Sequence, residues 1–187
     1  MTELNFPISR YGSFLATRSL GRGVRVDLED QLSSAQNEVG VVLDFHGVEA
    51  ITISFADECV ARFLASHAQT ASAAFVVITG LNEETSEAVG VSLERREIGA
   101  AILGSDGLTW QPGPPHLRET YACALRLQSF RAAELAGELN LSMSNANNRL
   151  KRLAAGGALT RVRSPGPEHG GKEFLYRCPA IRARTAS

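Results

Sequence analysis

The run Ser142-Met143-Ser144-Asn145-Ala146-Asn147-Asn148-Arg149-Leu150-Lys151-Arg152-Leu153 concentrates side chains that read nucleic acids. Asn pairs with the adenine edge, Arg with the guanine edge, and Ser, Lys and further Arg contact phosphate. Ser142 is a natural N-cap, and Ala146, Leu150 and Leu153 recur on one face, so the spacing predicts a helix over residues 143–155. The opposite face then carries Ser144, Asn145, Asn147, Asn148, Lys151 and Arg152. The N-terminal end of such a helix enters a major groove first. That geometry assigns Ser144, Asn145 and Asn148 to base edges, with Ser142 and Asn147 beside them. Arg149, Lys151, Arg152, Arg161, Arg163 and Lys172 are assigned to phosphates.

The elements around this helix fit that chemistry. His116–Leu127 and Ala132–Leu139 show helical spacing, and Asn140-Leu141 makes the turn into the helix that Ser142 opens. Gly156-Gly157 ends it. Ala158–Arg163 and Lys172–Cys178 alternate like two strands of a hairpin, with residues 164–171 as a long turn. Residues 116–178 thus resemble the winged helix-turn-helix of bacterial transcription regulators. The resemblance implies double-stranded DNA as a partner and a homodimer as the working form. A winged helix used for protein contacts is the competing reading.

Charge divides the 187-residue chain in two. Before Gln111 there are seven basic residues, all arginine, against fifteen acidic ones, a balance of −8. From Gln111 onward there are twelve against five, a balance of +7. Such a split predicts two domains, the basic one facing a polyanion. The expected boundaries are an α/β domain over 1–110, a Pro/Gly linker over 111–115, a mainly α winged domain over 116–180 and a tail over 181–187.

In the acidic half, Val39–Phe45 and Phe75–Gly80 read as buried strands. Between them Ala56–Ala68 reads as a helix with Asp57 and Glu58 in its first turn, where the dipole favours acids. Val24, Leu28 and Leu32 predict a helix over about 20–35, and Asn82 caps another that runs to Glu97. Gly12–Thr17 is a weaker strand, and Ala100–Leu103 is expected to be the last. The sum is an α/β sandwich of roughly 100 residues.

The segment Leu43-Asp44-Phe45-His46-Gly47-Val48-Glu49-Ala50-Ile51-Thr52-Ile53-Ser54-Phe55-Ala56-Asp57-Glu58 resembles the STAS family of sulfate transporters and anti-sigma-factor antagonists. The likeness covers about residues 12–105, and is closest to the STAS-like domain of bacterial regulators. In the antagonists a serine opening a helix is phosphorylated by a partner kinase, and that position falls on Ser54. Thr52 stands where they usually carry Asp, and Phe55 where they carry Gly. The bland alternative is that Ser54 only caps the helix. A phosphate there would gain from the free N–H groups and the helix dipole. Asp44 and His46 lie on the same expected surface.

Other chemistries find no support. Gly166–Glu173 approaches a phosphate-binding loop, but Glu173 replaces the metal-binding hydroxyl and a strand follows instead of a helix. Gly21-Arg22-Gly23 lacks the third glycine of a dinucleotide fingerprint. The four histidines have no metal-ligand spacing, and Cys59, Cys123 and Cys178 form neither a disulfide framework nor a zinc site. No catalytic residue, metal or cofactor is expected, and the chain reads as a non-enzyme. No apolar run reaches membrane-spanning length and no secretory signal opens the sequence, so a cytoplasmic location is expected.

The expected function is a DNA-binding regulator whose STAS-like part senses a signal or partner. The alternative is a partner-switching protein in which both parts bind proteins, a kinase or anti-sigma factor among them. Nucleotide sensing is a third option with no phosphate-cradling loop behind it.

Overall fold

Val39–Asp44 (β3) and Val76–Thr79 (β5) are apolar at nearly every position, which a strand needs only when both its faces are covered. In the computed structural model, which describes residues 2–35, 38–71, 73–164 and 173–181, both faces are covered. The fold is mixed α/β, built on a mainly parallel sheet in the order β1-β3-β5-β6-β7. Here β1 is Thr2–Pro7, β6 is Ala100–Gly104 and β7 is Gly107–Gln111. The first four run parallel and β7 returns antiparallel to β6. After β1 a 3-10 turn (Ile8–Tyr11) leads to β2 (Phe14–Leu15), which pairs with β4 (Ala50–Ile51) in a small separate ribbon.

One face of the sheet carries α1 (Arg18–Ser33), α2 (Ile53–Ala56), a π-helical turn (Asp57–Ala61), α3 (Arg62–Thr70) and α4 (Glu83–Glu94). Val41, Leu43, Val76, Ile78 and Ala100 point into this layer, against Val24, Leu28, Phe55, Phe63 and Leu93. Gly21 lets α1 cross closely over α2: a Cβ there would lie 2.8 Å from the Phe55 carbonyl oxygen. Asn82 caps α4 as expected; its Oδ1 accepts from the Thr85 N–H at 2.9 Å.

The other face carries the basic half. The alternate residues Val42, Val77 and Ala101, with Phe75 and Trp110, pack on α5 (Pro115–Leu127), α6 (Ala132–Glu138) and α7 (Met143–Ala155). A second sheet of β8 (Ser129–Arg131), β9 (Thr160–Ser164) and β10 (Glu173–Arg177) is antiparallel in the order β8-β10-β9. The two halves share backbone bonds: the Val76 N–H donates to the Gly157 carbonyl at 2.9 Å, and Thr160 Oγ1 donates to the Ala74 carbonyl at 2.8 Å. Of residues 111–115, Gln111 closes β7 and Pro115 opens α5.

The structure adds four strands to those expected: β1, β4, β7 and β8. Their signals were short or mixed with turn residues. β1 offers only Leu4 and Phe6 as an alternating pair, and β7 follows immediately on the Gly104–Gly107 turn.

Candidate functional site

α7 forms where the sequence placed it, and Ser142 is its cap, Oγ accepting from the Asn145 N–H at 3.3 Å. Ala146, Leu150 and Leu153 are buried, so the hydrophobic periodicity fixes which face looks outward. Ser142, Ser144, Asn145, Asn147, Asn148, Lys151 and Arg152 are exposed. No Asp or Glu lies between Glu138 and Glu168, so the surface of α7 and β9 is uniformly neutral or basic.

Arg149 is half-buried and turned inward. Its Nε donates to Asn145 Oδ1 at 3.0 Å, and Nη1 reaches Thr120 Oγ1 at 3.2 Å and the His116 carbonyl at 3.4 Å. It ties α7 to α5, and holds the Asn145 side chain as it does so. Lys151 and Arg152 sit towards the sheet-side end of α7, where each lines a cleft between the two halves of the molecule. On β9, Arg161 lies over the Phe174 ring at 4.0 Å, and Arg163 is exposed. Lys172 and residues 165–171 before it fall outside the described residues.

Ser54 does not cap a helix. Thr52 does: its Oγ1 accepts from the Phe55 N–H at 3.2 Å while donating to the Ala16 carbonyl at 2.5 Å. The helix therefore starts at Ile53, three residues before the expected Ala56, because a Thr held by a neighbouring strand outcompetes a Ser two residues on. Ser54 is half-buried in the first turn of α2.

The earlier start moves Asp57 and Glu58 out of the first turn and into the π-helical turn, a widening that recurs at functional sites. Their role is to gather arginines. Glu58 is fully buried; its Oε1 accepts from Arg18 Nη1 at 3.1 Å and lies 3.4 Å from Arg62 Nε. Its Oε2 accepts no hydrogen bond from the described residues, and Arg22 Nε lies 4.0 Å from it. Arg96 clamps Asp57 with two bonds of 2.6 and 3.0 Å, and Arg25 Nε donates to the Glu58 carbonyl at 3.1 Å. The Arg96 bonds, ahead of any Coulombic effect, hold the Asp57 carboxyl below its ordinary range. Five of the seven arginines of the acidic half thus converge on two residues. Sequence reasoning missed this. The signal was the spacing of Arg18, Arg22 and Arg25, which places them along one face of a helix.

Elsewhere, Asp44 and His46 meet at the end of β3, with Asp44 Oδ1 2.5 Å from His46 Nδ1. Burial pushes the Cys59 and Cys178 thiols up to about 12 and lowers the pKa of His67. Thiols held so high carry little thiolate at neutral pH. Among the described residues no cluster of three or more His, Cys, Asp or Glu could hold a metal ion. No helix among them is long and apolar enough to cross a membrane.

No curated protein and no solved structure matches the chain. Residues 21–86, from α1 into the first turn of α4, match the family described as a STAS-like domain of unknown function (DUF4325), a span that holds Ser54 and the arginine-gathering turn.

Proposed function

We propose that the chain is a DNA-binding transcription regulator: a winged helix-turn-helix formed by α5–β10 reads a duplex, and the STAS-like part receives the signal. The observation that carries this reading is the outward face of α7, six exposed polar or basic side chains from Ser144 to Arg152 with no acid in the run. The element order supports it. Helix, strand, helix, helix and two antiparallel strands, with β8 against β10, is the element order of a winged helix-turn-helix, and the N-terminal part of the third helix, which would enter a major groove, is exposed at Ser144, Asn145, Asn147 and Asn148.

In this reading Ser144, Asn145 and Asn148 meet bases, with Ser142 and Asn147 beside them. Lys151, Arg152, Arg161, Arg163 and Lys172 hold phosphates, and Arg149 positions α7. Ser54 is the position at which a partner kinase would act.

The test is a mobility shift of the full-length protein on mixed genomic duplex fragments at two salt concentrations. With the five phosphate contacts named, affinity falls by roughly five-hundredfold between ~50 and ~200 mM salt, and particular fragments are enriched. Absence of any shift at the lower salt overturns the reading in favour of protein partners for both halves.

A further inference from the structure

A cleft of about 650 Å³ separates the C-terminal ends of α4 and α7, with the start of α5 along its side. Its apolar part is formed by Ile98, Trp110 and Leu117. Its charges are divided: Glu94 and Glu97 stand on the α4 wall, and Arg152 stands on the α7 wall. All three are exposed, and none of them makes an ion pair or side-chain hydrogen bond with another described residue. Opposite charges that line one cleft and do not meet leave room for something between them.

The helix ends reinforce the division. The C-terminal end of α4 carries partial negative charge beside Glu94 and Glu97. The N-terminal end of α5, where Pro114 holds the N-cap position without a side-chain cap, opens on the cleft with partial positive charge. Arg152 lies in the last turn of α7 and offsets the negative end of that helix.

Glu97 is also an unusual choice for its place. The Ile98 N–H bonds the Leu93 carbonyl and the Glu97 N–H bonds the Glu94 carbonyl, which makes this end of α4 a Schellman motif. Glu97 occupies the left-handed position with φ of 55°, where glycine is the default. α7 ends in the same motif, and there the position is Gly157, φ 74°. Ala71, Gln128 and Asn140 also have positive φ, and what sets Glu97 apart from them is that it lines the cleft beside Glu94.

From this geometry we infer that the cleft binds a small zwitterion of the amino-acid type with an apolar side chain. Its ammonium faces Glu94 and Glu97, its carboxylate faces Arg152, and its side chain lies on Ile98, Trp110 and Leu117. A pocket of this size with an apolar floor and a few convergent polar groups has the form of a small-molecule site. Because Arg152 is also assigned to DNA phosphate, a bound carboxylate would draw it from the duplex; that consequence rests on the DNA-binding reading, whereas binding itself does not.

Trp110, the chain's single tryptophan, lines the cleft and reports on it. The test titrates the full-length protein with L-phenylalanine, phenethylamine and hydrocinnamate, following Trp110 emission and, in parallel, calorimetric heat. L-phenylalanine gives saturable binding, and each analogue lacking one charge binds about tenfold or more weakly. Arg152→Gln lowers L-phenylalanine to the level of phenethylamine and leaves phenethylamine unchanged. Glu97→Gln does the same relative to hydrocinnamate. The inference is overturned if L-phenylalanine gives no saturable signal by either method, if the three probes bind equally, or if neither substitution changes its affinity. DNA affinity without ligand is measured on the same preparations, so failure of this site and failure of the DNA reading are distinguishable.

Discussion

The Val76 N–H on β5 donates to the carbonyl of Gly157 just beyond α7, and this 2.9 Å bond ties the central sheet to the helix proposed to read DNA. Gly157 is confined there twice over. Its φ is 74°, and a Cβ would lie 2.8 Å from Val76 Cβ and 2.9 Å from Val76 N.

Gly157→Ala therefore combines a left-handed penalty of about 1–2 kcal/mol with overpacking of about 1–3 kcal/mol. Urea unfolding should show a loss of about 2–5 kcal/mol and, because the two halves share this contact, a single cooperative transition in both proteins. Two transitions in the parent protein would separate the halves energetically.

Glu97→Gly moves in the other direction. Relieving a non-glycine left-handed residue stabilises by about 1 kcal/mol, read as a rise in Tm, while binding of L-phenylalanine weakens. A variant that loses stability would show that the Glu97 side chain supports the fold.

Substitutions on α7 separate phosphate contacts from base contacts. Lys151→Ala and Arg152→Ala each lower affinity for all duplexes and reduce the slope of log K against log salt by about 0.9. Asn148→Ala leaves the slope alone and relaxes preference at one base pair by about 1–3 kcal/mol. Equal behaviour of the three variants would place the reading surface elsewhere.

Acid sensitivity divides between two groups. Burial depresses the His67 pKa, so the unfolded chain takes up the proton first and stability falls as pH drops below about 6.5. Asp57 is depressed by Arg96, so its contribution is complete above about pH 4 and disappears as pH falls through the folded value. His67→Gln flattens the upper part of the urea-derived stability profile. Arg96→Gln costs about 1–3 kcal/mol at neutral pH, and that difference closes in strong acid.

Elements with a periodic signal were legible in the sequence. α7, its Ser142 cap and its buried stripe Ala146, Leu150 and Leu153 occur where spacing put them, and Asn82 caps α4. β3 and β5 were legible as buried strands, but an apolar run states only that both faces are covered, and what covers the second face is a long-range fact. Thr52 outranked Ser54 as a cap because its hydroxyl also reaches Ala16, thirty-six residues away in sequence. In the sequence the arginines around Glu58 register only as charge, since convergence on a π-helical turn depends on how α1 crosses α2. Arg149 looks like a phosphate contact in the sequence because nothing local predicts that Thr120 and the His116 carbonyl stand within reach.

The alternation along the central strands has a mechanical consequence. Val41, Leu43, Val76 and Ile78 press on one layer while Val42 and Val77, between them, press on the other. Neither layer can shift its footing without shifting the same backbone under its opposite. A disturbance at the arginine-gathering turn would then reach α7 as strain carried through a common wall, in the manner of a stiff membrane loaded from both sides, with no swinging joint required.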